Sequence, residues 1–143
     1  MRSNIKREVQ NLIKKYNTNN PFEISEKLEI WIYEVDLGNV TAHYIYEKRK
    51  KVFFINQNLT CNEKMFACAH ELGHAVLHSK HNKYFNISCT LFNNEKHEIQ
   101  ANAFAAELLI DDDLIYNYKN YSLETISKCE DIHPLFLELK FNK

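Results

Sequence analysis

Apolar positions along the chain fall first into a helical rhythm, then a strand rhythm, then a helical one again. Ile5, Val9, Leu12, Ile13 and Tyr16 recur at the three-to-four spacing of one helix face, with Lys and Glu between them. Asn17-Thr18-Asn19-Asn20-Pro21 breaks that pattern. Asn20 as N-cap and Pro21 at the first helical position predict a short second helix ending near Leu28. From Ile30 the composition turns to β-branched and aromatic residues. Ile30 to Val35, Ala42 to Tyr46 and Lys51 to Asn56 read as strands. Asp36-Leu37-Gly38-Asn39 and the charged Glu47-Lys48-Arg49-Lys50 are the turns between them. Consecutive strands on short turns predict a small antiparallel meander of about three strands.

The helical period resumes after Asn58. Thr60 with Glu63 three residues on is a capping box. Met65, Phe66, Ala69, Leu72, Val76 and Leu77 then mark an apolar face that should end near Ser79. Gly73 within it costs about 1 kcal/mol relative to Ala; a close approach by another backbone would account for it. His81 to Asn94 is polar and irregular, the expected mobile loop. A second long helix is predicted from Glu95 to Ile110, with Phe104, Ala105 and Leu108 as its docking stripe. After Asp111-Asp112-Asp113, short helices are expected over 114–119 and, capped by Ser122, up to Cys129. Leu135 to Phe141, after Pro134, has no period that assigns it. The expectation is one α+β domain over residues 1–143. It has N-terminal helices in 4–28, a sheet in 30–56, two long helices in 60–79 and 95–110, and a helical tail in 111–143.

Composition narrows the function by exclusion. No apolar run approaches the length that crosses a bilayer, and the N-terminus lacks the apolar stretch of a signal peptide, so a cytoplasmic protein without membrane partners is expected. A net charge of −1 gives no reason to bind nucleic acid directly. The helix pair in 4–28 is a poor DNA reader, because Glu23, Glu26 and Glu29 stand where phosphate contact needs basic groups. Cys61, Cys68, Cys89 and Cys129 form no Cys-x-x-Cys pair and read as reduced thiols. The aromatic residues Tyr33, Tyr44, Tyr46, Phe53 and Phe54 read as core and sheet surface rather than a base-stacking platform.

The chemistry lies in His70-Glu71-Leu72-Gly73-His74. Histidines four apart on a helix share a face, so both imidazoles can reach one metal ion. Glu71 stands about 100° further round the axis, where a general base for an activated water belongs. The chain's own His and Glu content gives about 0.03 chance matches to this pattern. A catalytic zinc site takes three protein ligands and one water. Candidates for the third are His78, His81, His97, Glu98 and Glu107. His78 lies about 12 Å along the helix from His70, too far to share an ion. Glu98 is favoured because Asn102, one turn on, can accept the N–H of a ligating histidine and fix its tautomer. His97 is its main rival. His43, His78, His81 and His133 otherwise read as packed or surface histidines.

Glu98-x-x-Ala101-Asn102-x-Phe104-Ala105-x-x-Leu108-Leu109, following the first motif, resembles the ImmA/IrrE family of zinc-dependent, gluzincin-type metallopeptidases. The match runs from about Thr60 to Ile110. It implies a zincin-like fold, one Zn2+ per chain held by His70, His74 and Glu98, and Glu71 as general base. It also implies a protein substrate, a helix-turn-helix repressor whose cleavage releases mobile-element or stress genes. In the implied reaction Glu71 takes a proton from the activated water and passes it to the leaving amine. Val52 to Ile55 is the strand expected to pair with extended substrate. His43, Tyr44 and Tyr84 are the candidates for holding the oxyanion. The family often has Pro where Asp111 stands, a difference expected to affect only how the helix ends. The sequence runs only a short way past the motif core, so a sensor domain like that of some larger relatives is not expected. A competing reading is a non-hydrolytic module that keeps the fold and docks a transcription regulator; a structural zinc domain is a third.

Overall fold

The computed structural model of the chain describes residues 2–78 and 95–141, with the side chains from residue 4 onward. Helices α1 (Arg2–Tyr16) and α2 (Pro21–Lys27) come first. Strands β1 (Trp31–Val35), β2 (Ala42–Glu47) and β3 (Lys50–Asn56) form the sheet. Helix α3 (Cys61–Leu77) carries the first motif and α4 (Glu95–Leu109) the second. Three short helices end the chain: α5 (Leu114–Asn117), α6 (Leu123–Glu130) and α7 (Pro134–Phe141). Residues 135–141, which the sequence left unassigned, are thus helical.

The local signals act as the sequence implied. Asn20 Oδ1 accepts from the Phe22 and Glu23 amides, with Pro21 at the first position of α2. Thr60 and Glu63 form a reciprocal capping box on α3. Ser122 accepts from the Thr125 amide to start α6. The expected loop over 81–94 lies outside the described residues.

The sheet departs from the expected meander. Its order is β1-β3-β2, with β2 antiparallel and β1 parallel to β3. Strand directions alternate as expected, but the neighbours differ. Lys48 and Arg49 take positive φ, +52° and +66°, and close a two-residue β2–β3 hairpin. The preceding connection, residues 36–41, passes across the end of β3. Asn56 fixes it there, donating from Nδ2 to the Gly38 and Val40 carbonyls at 2.9 Å each, while its amide bonds Thr41 O. β2 therefore emerges on the far side of β3, and the strongly apolar Val52-Phe53-Phe54-Ile55 becomes the central strand.

Phe53, Ile55 and Tyr44 face inward from the sheet onto α3. On the other side of α3 lies α4, whose Ala101, Phe104, Ala105 and Leu108 are buried as the docking stripe required. Ile5 and Val9 of α1, Ile126 of α6 and Leu137 of α7 complete the core. Gly73 is where α3 and α4 come closest. A Cβ there would stand 3.0 Å from Phe104 Cβ and 3.1 Å from both Cα and O of Ala101. The glycine so lets the two motif-bearing helices approach. No helix among the described residues is long and apolar enough to cross a membrane.

Candidate metal centre

His70 and His74 project from one face of α3 toward the first turns of α4, as their spacing required. Their Nε2 atoms are 3.2 Å apart. Glu98 meets both: Oε2 lies 2.5 Å from His74 Nε2, and Oε1 lies 3.4 Å from His70 Nε2. Ligand atoms of all three residues fall within 4.8 Å of one another. Two imidazoles and a carboxylate are the donor set of a three-ligand catalytic zinc site, and their convergence on one point fits a single ion.

The other candidate third ligands are engaged elsewhere or lie outside the description. His97 stacks on His78, with ring centroids 3.9 Å apart. Glu107 sits at the far end of α4 and pairs with Lys140 Nζ at 2.8 Å. His81 lies outside the described residues.

Asn102 meets the outer nitrogen of His70. Its Oδ1 is 2.6 Å from His70 Nδ1, so the ring donates there, and Nε2 is the atom that would ligate an ion. His74 has a counterpart that the sequence did not assign. Its Nδ1 lies 3.2 Å from Nδ1 of His78, whose Nε2 lies 2.8 Å from Gln100 Oε1. The eight-residue offset from His70 to His78 ruled out a shared ion but carried no sign of this contact.

Charges in the centre follow from burial and pairing. Burial pushes the Glu98 carboxyl up, but hydrogen bonds with His70 and His74 outweigh it and hold the group well below the usual range. Burial opposes charge on His70, and the Glu98 hydrogen bond, with Glu71 and Asn102, reverses this and raises its pKa. Burial lowers His78 to about 4 despite Gln100, so its ring is neutral at neutral pH. Glu71 is 8% exposed. Its burial raises its pKa above the ordinary carboxylate value, against the pull of His70 and His74.

His70, Glu71, Glu98 and Asn102 line a cleft of about 760 Å³. Thr41 and Ala42, at the start of β2, form one wall. Ser127 to Phe136, from α6 and α7, form another, with His133 and Phe136 among its residues. Phe66 of α3 packs on Phe136 across its floor, centroids 4.6 Å apart. The C-terminal wall was invisible to sequence reasoning, because nothing local ties those residues to the motif. One expectation fails here. Val52 to Ile55 cannot accept an added strand, since β3 is paired on both edges; the strand at the cleft is the edge strand β2. Tyr44 is 8% exposed and packs edge-on against Phe53. His43 lies on the opposite face of β2 and acts on Glu71 electrostatically, more weakly than His70 and His74. Tyr84 lies outside the described residues.

Residues 25–137 match the sequence profile of the IrrE N-terminal-like domain, a peptidase family. The chain is 41% identical to "Uncharacterized immunity region protein 2" of Bacillus phage phi105 over 139 residues, covering 95% of this chain and 88% of that one. It is 35% identical to "Metallopeptidase ImmA" of Bacillus subtilis (strain 168) over 111 residues, covering 78% of this chain and 66% of that protein. With the profile spanning most of its length, the chain belongs to the ImmA/IrrE family of metallopeptidases.

Proposed function

We propose that the protein is a zinc-dependent endopeptidase in which His70, His74 and Glu98 hold one Zn2+ and Glu71 is the general base. The observation that carries this reading is the convergence of those three side chains on one point, beside a cleft that His70 and Glu98 line together with the buried Glu71 carboxylate. A bound zinc ion supplies Lewis acidity toward a water molecule and the scissile carbonyl. Glu71, raised in basicity by burial, takes the proton of the attacking water. The water oxygen bonds to the carbonyl carbon, the C–N bond breaks, and Glu71 returns the proton to the leaving nitrogen. The free edge of β2 by Thr41 and Ala42 supports an extended substrate lying along it as an added strand.

The substrate is a helix-turn-helix repressor. The family resemblance supports this, and so does the immunity region in the name of the phage relative. A DNA-binding substrate places the enzyme in the cytoplasm.

Metal analysis and cleavage test the reading together. The wild-type protein should hold about one zinc per chain, and Glu98→Gln much less. Glu71→Gln should keep its zinc while cleavage of a phage-type repressor falls by about 10²–10⁴-fold. A wild-type protein that takes up no zinc on reconstitution overturns the proposal. Equal zinc in Glu98→Gln moves the third ligand elsewhere. Unchanged function in Glu71→Gln leaves a docking module in place of a peptidase.

A further inference from the structure

We infer that His78 and Gln100 form a positioning relay that orients His74 as a ligand, through hydrogen bonds from α4 back onto α3. The inference rests on the metal site proposed above and extends it to residues that touch neither ion nor substrate.

Donor and acceptor roles along the chain of contacts follow from its far end. Gln100 Oε1 can only accept, so Nε2 of His78, at 2.8 Å, must donate. With Nε2 as the donor, Nδ1 is the ring position of His78 that can accept. That atom faces Nδ1 of His74 at 3.2 Å, so His74 donates there. With a bound ion, Nε2 of His74 would then be the ligating atom; it is the one directed at Glu98 and at His70 Nε2. One amide oxygen on α4 thereby selects the tautomer of a histidine on α3 two bonds away. Ring contacts hold the intermediate in place. His78 is 5% exposed and stacks on His97, with planes 20° apart.

The arrangement mirrors the one on His70, where Asn102 Oδ1 plays the accepting part directly. Glu98, Gln100 and Asn102 thus reach the same centre from two turns of α4: one as ligand, two through the outer nitrogens of the ligating imidazoles. A single register of α4 against α3 serves all three. Carboxylate or carbonyl partners are the usual acceptors for a ligating imidazole. A second histidine can replace them only if something fixes its own tautomer, and Gln100 supplies that.

The test is zinc affinity by competition with a chelator, on the full chain, with metal-free unfolding followed beside it. Gln100→Leu keeps the volume and removes the acceptor; it should bind zinc about 10–100-fold more weakly than wild type. Gln100→Glu restores an acceptor and should bind within a few-fold of wild type, or more tightly. Packing alone predicts the reverse order, since Leu suits a half-buried site better than a carboxylate does. His78→Phe retains the stack on His97 and should match the loss in Gln100→Leu. In the cobalt-loaded protein, the exchangeable Nδ1 proton of His74 should give a sharp shifted NMR signal that broadens in Gln100→Leu. Should His78→Phe fail to fold, the Gln100 pair still decides. Wild-type affinity in Gln100→Leu, or equal weakening in Gln100→Leu and Gln100→Glu, overturns the relay while leaving the three-ligand site intact. Absence of zinc binding in the wild type itself overturns both.

Discussion

Asn102 decides which nitrogen of His70 carries the proton. Its Oδ1 accepts at 2.6 Å from Nδ1, and Nε2 is left as the nitrogen that would ligate an ion. Asn102→Leu removes that acceptor and leaves a partly buried N–H unsatisfied. Zinc affinity should fall about 10–100-fold, as for other outer partners of ligating histidines. Asn102→Asp keeps an accepting oxygen and should stay close to wild type. Chelator competition on the two variants checks this; equal affinity in wild type and Asn102→Leu would sink the assigned role. The pairing was legible in the sequence because each half of it repeats along one helix. His70 and His74 are one turn apart on α3, and Glu98 and Asn102 are one turn apart on α4. The contact from His78 to Gln100 was not legible. It joins two helices, and its existence depends on their relative rotation and shift, which no spacing within either one encodes.

At the scale of elements, the packing of α4 on α3 sets how His70, His74 and Glu98 converge, and Gly73 sets that packing. An alanine there would gain up to about 1 kcal/mol of helix propensity. Its Cβ would press on the Ala101 backbone at 3.1 Å and on Phe104 at 3.0 Å, contacts that no flexible side chain can relieve. Overpacking of this kind costs about 1–3 kcal/mol. Gly73→Ala should therefore lower stability on balance and weaken zinc binding as Glu98 is pushed from His70 and His74. Denaturant unfolding of the metal-free chain and zinc titration measure the two effects. A stabilised variant with unchanged affinity would refute the close-approach argument. The glycine itself was conspicuous in the sequence, an expensive residue in the middle of an otherwise regular helix. Helices and strands were readable for the same reason: caps, breakers and apolar period are local. The sheet order was not. Alternation gives strand identity and direction, whereas neighbour choice turned on Asn56 binding the Gly38 and Val40 carbonyls across the end of β3. The expected substrate strand β3 is therefore central, and the free edge at the cleft belongs to β2.

For the molecule as a whole, the cleft depends on the C-terminal helices as much as on the motif helices. α7 supplies Pro134, Leu135 and Phe136 to the cleft wall, and its other end is held by Lys140. The Lys140 side chain is 4% exposed and pairs with Glu107 of α4 and with Asp112; Lys6 of α1 also reaches Asp112, at 3.4 Å. One ammonium group so ties the last helix to the end of the helix that bears Glu98. Lys140→Met keeps most of the aliphatic stem and removes the charge, leaving the Glu107 carboxylate 14% exposed without this partner. The loss should be about 2–3 kcal/mol, less than for a fully buried pair because Asp112 and Glu107 keep contact with water. Its pH dependence has a definite sign. The Lys140 hydrogen bond holds the Asp112 carboxyl below its ordinary value. A depressed folded-state pKa contributes stability that is present above the unfolded-state value, about 3.9, and lost as pH falls through the folded one. The gap between wild type and Lys140→Met should accordingly narrow as pH drops below about 4, which urea unfolding at a series of pH values would show. A gap independent of pH would place the effect in packing of the stem rather than in the ion pair. Because α7 also walls the cleft, the same variant should raise KM for a repressor substrate more than it lowers kcat, with zinc content unchanged. A fall in kcat with KM constant would mean that the C-terminal wall contacts the reacting bond itself.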